Sequence, residues 1–132
     1  MEKPLKLSVL LSASPEELYH AWLSSEEHGR FTGSKAEIVN RIGGKFTAWD
    51  GYIEGTTLEL RPYTKIVQSW RSTDFPNNSP DSRLEVLLEP EGKKTKLTLI
   101  HTGFPEGQGE ELKQGWEDYY FEPMKKYFLS GK

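Results

Sequence analysis

The chain has 132 residues and no cysteine, a length that fits one domain over residues 1–132 and a composition that excludes disulfides, thiolate metal sites and a cysteine nucleophile. Its 17 basic and 20 acidic residues leave a net charge of −3 with no block of Lys or Arg, so the electrostatic footprint of a nucleic-acid binder is missing. Apolar bulk is concentrated in rings: 4 Trp, 6 Tyr and 6 Phe in a chain that is only 35% hydrophobic.

Met1-Glu2-Lys3-Pro4 leads directly into alternating sequence, and no apolar run reaches the length of a signal peptide or a membrane span, which predicts a cytoplasmic protein. Leu5, Leu7 and Val9 alternate with Lys6 and Ser8, and Leu10-Leu11 extend the pattern of a half-buried strand. Ser14-Pro15-Glu16-Glu17 then starts a helix. It combines a capping Ser, a Pro at the first helical position and a Glu three residues beyond the cap. That helix buries Leu18 and Trp22; Ser24 and Glu27 repeat the capping spacing and predict a second short helix ending between Gly29 and Gly33.

From residue 35 the period changes to two. Strands are predicted over Ala36–Val39, Lys45–Trp49, Tyr52–Leu60, Lys65–Arg71, Ser82–Glu89 and Thr95–His101. Gly43-Gly44, Asp50-Gly51, Arg61-Pro62, a loop over residues 75–81 and Glu91-Gly92 separate them, all of it turn chemistry. Such short connections dictate an antiparallel meander, because parallel neighbours need crossover helices. The clearest helix follows residue 109: Leu112, Trp116, Tyr119, Tyr120, Met124, Tyr127 and Phe128 form one broad apolar face, with a kink expected at Pro123. The predicted fold is α+β, in the order β-α-α-β6-α. A curved seven-stranded antiparallel sheet wraps around a long C-terminal helix, the only element large enough to cover the apolar face of the sheet.

Gly43-Gly44-Lys45-Phe46, Asp50-Gly51, Ile66-Val67-Gln68-Ser69-Trp70-Arg71 and Gln114-Gly115-Trp116-Glu117-Asp118-Tyr119-Tyr120-Phe121-Glu122, in this order and spacing, resemble a known family. It is the helix-grip (SRPBCC, START-like) superfamily, and within it the domain at the C-terminus of the activator of heat-shock protein 90 (Hsp90) ATPase. The resemblance implies the helix-grip fold, a space between sheet and helix, and either small-molecule binding or partnership with Hsp90. Cyclases and dehydratases of the wider superfamily imply a third possibility, acid–base catalysis.

Trp49, Tyr52, Trp70, Trp116, Tyr119 and Tyr120 read in two ways: as core filling, or as the lining of a cavity for an apolar or aromatic ligand whose polar atoms meet Tyr hydroxyls and indole N–H groups. Met124 is an adaptable cavity wall or ordinary filler. His101 shares strand parity with Leu97 and Leu99 and is expected to point inward near the mouth of any cavity, as an acid, a base or a hydrogen-bonded core residue, the last being favoured here. Gly115 lets the helix approach the sheet or leaves a gap for ligand; the first is expected. Phe75 contacts a partner, acts as a lid or tucks beneath its own loop, the last being the commoner outcome for a single ring. His20, His28 and His101 have no metal-ligand spacing, and no nucleophile elbow, phosphate loop or dinucleotide fingerprint is present, so no cofactor and no catalytic residue is predicted. The expectation is a non-enzymatic domain binding a small apolar ligand; an Hsp90 co-chaperone and a small-molecule cyclase or hydratase are the alternatives. Oligomeric state is left open.

Overall fold

The computed structural model describes residues 3–129. Its elements follow the expected order: β1 (Leu5–Leu11), α1 (Pro15–Leu23), α2 (Ser25–Thr32), β2 (Glu37–Ile38), β3 (Lys45–Ala48), β4 (Ile53–Arg61), β5 (Lys65–Ser72), β6 (Ser82–Glu91) and β7 (Lys94–Thr102). A C-terminal helical segment runs as α3 (Gly109–Trp116), a π turn (Glu117–Phe121) and α4 (Glu122–Leu129). Strands β2 to β7 form a meander, and β1 closes it by pairing with β7, giving the sheet order β1-β7-β6-β5-β4-β3-β2 with every pair antiparallel. A bulge between Thr57 and Glu59 shifts the β4–β5 register, the device by which a strand bends.

Local chemistry explains the helix starts. The Ser14 hydroxyl accepts from the Glu17 amide at 3.1 Å while the Glu17 carboxylate accepts from the Ser14 amide at 3.0 Å, so two otherwise orphaned donors of α1 are satisfied. Ser24 caps α2 in the same sense at 3.1 Å, and Gly33, with φ 79°, ends it in the left-handed region that glycine enters without a Cβ clash. Leu18 and Trp22 of α1 are buried as expected, together with Ala21 and Leu23. They meet Ile66, Leu84, Val86, Leu97 and Leu99 of the sheet in a single core that also takes Met124 and Phe128 of α4.

The disturbance expected at Pro123 takes the form of the π turn immediately before it. Proline lacks an amide hydrogen, and its ring crowds the carbonyl four residues back; widening the preceding turn, with the Glu122 amide donating to the Glu117 carbonyl five residues away, accommodates it. The wider turn changes the angular position of the residues within it, which corrects the predicted apolar face at Tyr119 and Phe121 while Met124 and Phe128 beyond it stay in the core. Tyr119, expected to face inward, is 59% exposed, whereas Phe121 is 5% exposed and lies in the core.

Candidate functional site

A cleft of about 430 Å³ opens between the face of α3 and the π turn on one side and the β3–β4 turn, β4, β5 and the loop after β5 on the other. Trp70 from β5, Trp116 from α3 and Tyr120 from the π turn form its depth, each no more than 5% exposed. Their rings are in mutual contact, with centroids 5.6 Å apart for Trp70 and Trp116 and 4.9 Å for Trp116 and Tyr120. Ile53 and Leu112 add aliphatic wall. Trp49, Tyr52 and Tyr119 stand at the opening, Tyr52 42% and Tyr119 59% exposed, with Trp49 edge-on to Tyr119 at 5.6 Å. The polar lining is Ser72, Asp74, Gln108 and Glu111.

Trp49 reaches the opening from a strained backbone. The Asp50-Gly51 turn has the positive φ values expected of it, 55° and 90°, and Trp49 itself sits at φ 54°. For a residue with a bulky side chain that conformation costs roughly 1–2 kcal/mol. Opposite it, Tyr52 donates its hydroxyl to the Asp74 carboxylate, the Asp74 amide donates to Ser72 Oγ at 3.2 Å, and Gln108 Nε2 donates to the Asp74 carbonyl at 3.1 Å. The loop carrying Asp74 is thereby tied to both β5 and the start of α3. The bond to Asp74 first, and burial second, raise the Tyr52 phenol above its ordinary pKa.

Six of the eight residues singled out in the sequence, Trp49, Tyr52, Trp70, Trp116, Tyr119 and Tyr120, meet at this cleft, and two do not. Met124 is fully buried in the core beneath α4. His101, 1% exposed, lies one layer behind Trp70 and Trp116. Its bonds fix its tautomer. Trp116 Nε1–H donates to Nδ1 at 3.1 Å, and Nε2–H donates at 2.7 Å to Ser82 Oγ, whose own hydrogen goes to the Trp70 carbonyl at 2.7 Å. Burial lowers its pKa to about 4, so it is a neutral, fully bonded brace for two walls of the cleft.

His28, which the sequence marked only as lacking a metal partner, performs the same task for the third wall. Its Nδ1–H donates to the Trp22 carbonyl at 2.9 Å and its Nε2 accepts from the Tyr120 hydroxyl at 2.8 Å, the opposite tautomer. Burial again brings the pKa down to about 4, and it drives the Tyr120 phenol well above its ordinary value. Trp22 Nε1 in turn donates to Gln68, which donates to Thr57, and no buried side-chain polar atom of the described residues is left unsatisfied.

Gly115 is a further correction. A Cβ at this position would meet nothing within 4 Å, so the residue does not serve close helix–sheet approach; it faces the cleft and leaves it wide. Phe75 is 4% exposed and tucked against Trp70 beneath its own loop, with the Arg71 guanidinium over its ring. Asp74 and Glu111 gave no signal in the sequence, since Asp74 lies in the loop after β5 and Glu111 in the first turn of α3, where an acidic residue is expected of any helix. Among the described residues no three His, Asp or Glu side chains gather where a metal ion could be held, and no helix is long and apolar enough to cross a membrane.

Comparison with known proteins gives a consistent answer. The chain is 34% identical over 118 residues to the human activator of 90 kDa heat shock protein ATPase homolog 1, covering 89% of this chain and 35% of the human protein. It is 30% identical over 127 residues to the Dictyostelium discoideum homologue, covering 96% and 33%. It thus spans about a third of the length of these relatives. In structure it is similar to an Hsp90 activator from Plasmodium falciparum, with a TM-score of 0.83, 27% identity, and coverage of 90% of this chain and 91% of that one. CalU16 from Micromonospora echinospora superposes with a TM-score of 0.74 at 26% identity, covering 96% and 73%. Residues 12–129 match the family described as "Activator of Hsp90 ATPase homolog 1-like protein", and the chain belongs to that family.

Proposed function

We propose that this domain binds a small hydrophobic or aromatic molecule in the cleft between its sheet and its C-terminal helix, without catalysing a reaction. The observation that supports the reading is the cleft itself: about 430 Å³ lined by Trp, Tyr, Ile and Leu side chains with a few polar groups, within the size and chemistry of small-molecule sites. The non-enzymatic part rests on the two buried imidazoles, which are neutral, have both nitrogens occupied, and do not line the cleft. Titration with a hydrophobic panel, followed by tryptophan fluorescence and native mass spectrometry, tests the reading. Binding abolished by Gly115→Leu, which projects a side chain into the cleft, is the expected result; no binding to any member sinks it.

A second reading, partnership with Hsp90 in a cytoplasmic stress response, is favoured by the relatives, which are activators of its ATPase. Stimulation of Hsp90 ATPase by this chain, unaffected by Gly115→Leu, would favour surface docking over the cleft.

A further inference from the structure

The lining of the cleft has a sign. Among the described residues, Asp74 and Glu111 are the charged ones in its lining, and no Lys or Arg lines it. Neither carboxylate forms an ion pair among the described residues. The nearby guanidinium of Arg71 is committed elsewhere, to Asp81 at 2.6 Å, to the Pro76 carbonyl at 2.8 Å and to the face of Phe75. The helix α3 begins beside the cleft with Gln108, but Glu110 and Glu111 occupy its first turn and offset the positive end of the helix dipole. Tyr52 donates its hydroxyl to Asp74, and that bond first, with the charges of both carboxylates adding to it, holds its phenol above its ordinary pKa. Around them the exposed rings of Tyr52 and Tyr119, with Trp49, present the electron-rich faces that attract cations.

We propose that the ligand of this cleft is an organic cation, an ammonium group carried on an aromatic or aliphatic body, with the body against Trp70, Trp116 and Tyr120 and the ammonium between Asp74, Glu111 and the rim rings. This rests on the ligand-binding reading above and adds the charge of the ligand to it. A carboxylate or phosphate ligand would find no Lys or Arg among the described lining residues and two negative charges at the entrance. A neutral ligand would draw nothing from the charge at the entrance, whereas an ammonium gains two exposed counter-charges at the rim and a cation–π face together.

Three shape-matched probes separate the possibilities by isothermal titration calorimetry at pH 7 and low salt: 1-naphthylmethylammonium, 1-naphthylmethanol and 1-naphthoate. The cation is expected to bind on the order of tenfold more tightly than the alcohol, and the carboxylate more weakly than either. In the Asp74→Asn/Glu111→Gln double variant the cation falls to within about twofold of the alcohol, while the unchanged affinity of the alcohol reports an intact cleft. Alcohol or carboxylate binding as tightly as the cation overturns the charge assignment and leaves the ligand-binding reading standing. Cation binding that survives Gly115→Leu also overturns it, since the carboxylates would then be acting at the surface alone. Failure of all three probes overturns the charge assignment, and the ligand-binding reading falls with it only if the hydrophobic panel also fails to bind.

Discussion

Lowering the pH from 7 to 5 should destabilise this protein through His28 and His101 more than through any carboxylate. Both imidazoles are held neutral by burial, with pKa values near 4 against an ordinary 6.5. A group whose folded pKa is depressed binds fewer protons in the folded state, so the stability it contributes is intact above about pH 6.5 and is lost as pH falls toward 4. Protonation is opposed by specific contacts as well as by burial. A proton on His101 Nδ1 would confront the Trp116 indole N–H at 3.1 Å, and one on His28 Nε2 would require the Tyr120 hydroxyl to turn away. Linkage gives about 2 kcal/mol lost per histidine between pH 7 and pH 5, hence about 4 kcal/mol for the pair, a large part of the 5–15 kcal/mol of a typical domain. Urea unfolding followed by tryptophan fluorescence at half-unit pH intervals measures it, and the window above pH 5 lies above the range in which exposed carboxylates titrate. His28→Asn keeps a donor for the Trp22 carbonyl but removes the titrating group; it should be less stable at pH 7 and lose about half of the pH slope. A loss below 1 kcal/mol over this range, or an unchanged slope in His28→Asn, would refute the assignment of the two rings as neutral braces.

The same geometry predicts opposite tautomers: long-range ¹H–¹⁵N correlation spectra at pH 7 should show His28 protonated at Nδ1 and His101 at Nε2, and a matching pair would contradict the bonding described. Gly115→Ala should raise stability by about 1 kcal/mol, because a helix gains from losing glycine and the new methyl meets open space; a lower melting temperature would mean that the helix sits closer to the sheet than described. Gly55→Ala should do the reverse. A Cβ there would run into the Ser69 carbonyl and the Phe46 ring, with an expected loss of about 2 kcal/mol or more from overpacking, read by the same urea titration. Trp116→Phe should cost about 1–3 kcal/mol from the stranded His101 Nδ1 alone, and a neutral effect on stability would discount the indole–imidazole bond.

The fold was legible in the sequence because its signals are local. The alternating runs, the Ser14 capping box, the Asp50-Gly51 turn and the spacing of the C-terminal rings each report backbone geometry within a few residues, and the short connections leave an antiparallel meander as the only economical arrangement. The six rings of the cleft were likewise legible, because the strands, the turn between them and the helix that carry them are all set by local sequence. What required the tertiary structure depends on phase and distance across the chain. A π turn forced by Pro123 rotates Tyr119 out to the rim and Phe121 into the core, a one-residue shift that a 3.6-residue period cannot foresee. Whether Gly115 closes or opens the gap depends on what lies opposite it, and nothing does. His101 and His28 acquire their roles from partners 15 and 92 positions away, Trp116 and Tyr120. The sign of the cleft comes from Asp74 and Glu111, two residues that ordinary sequence reading assigns to solvent. Sequence by itself determined the strands and the helix that bring six rings to one place; only packing decided which of them are buried and which stand at the rim, that they stop short of filling the space, and which charges stand at its entrance.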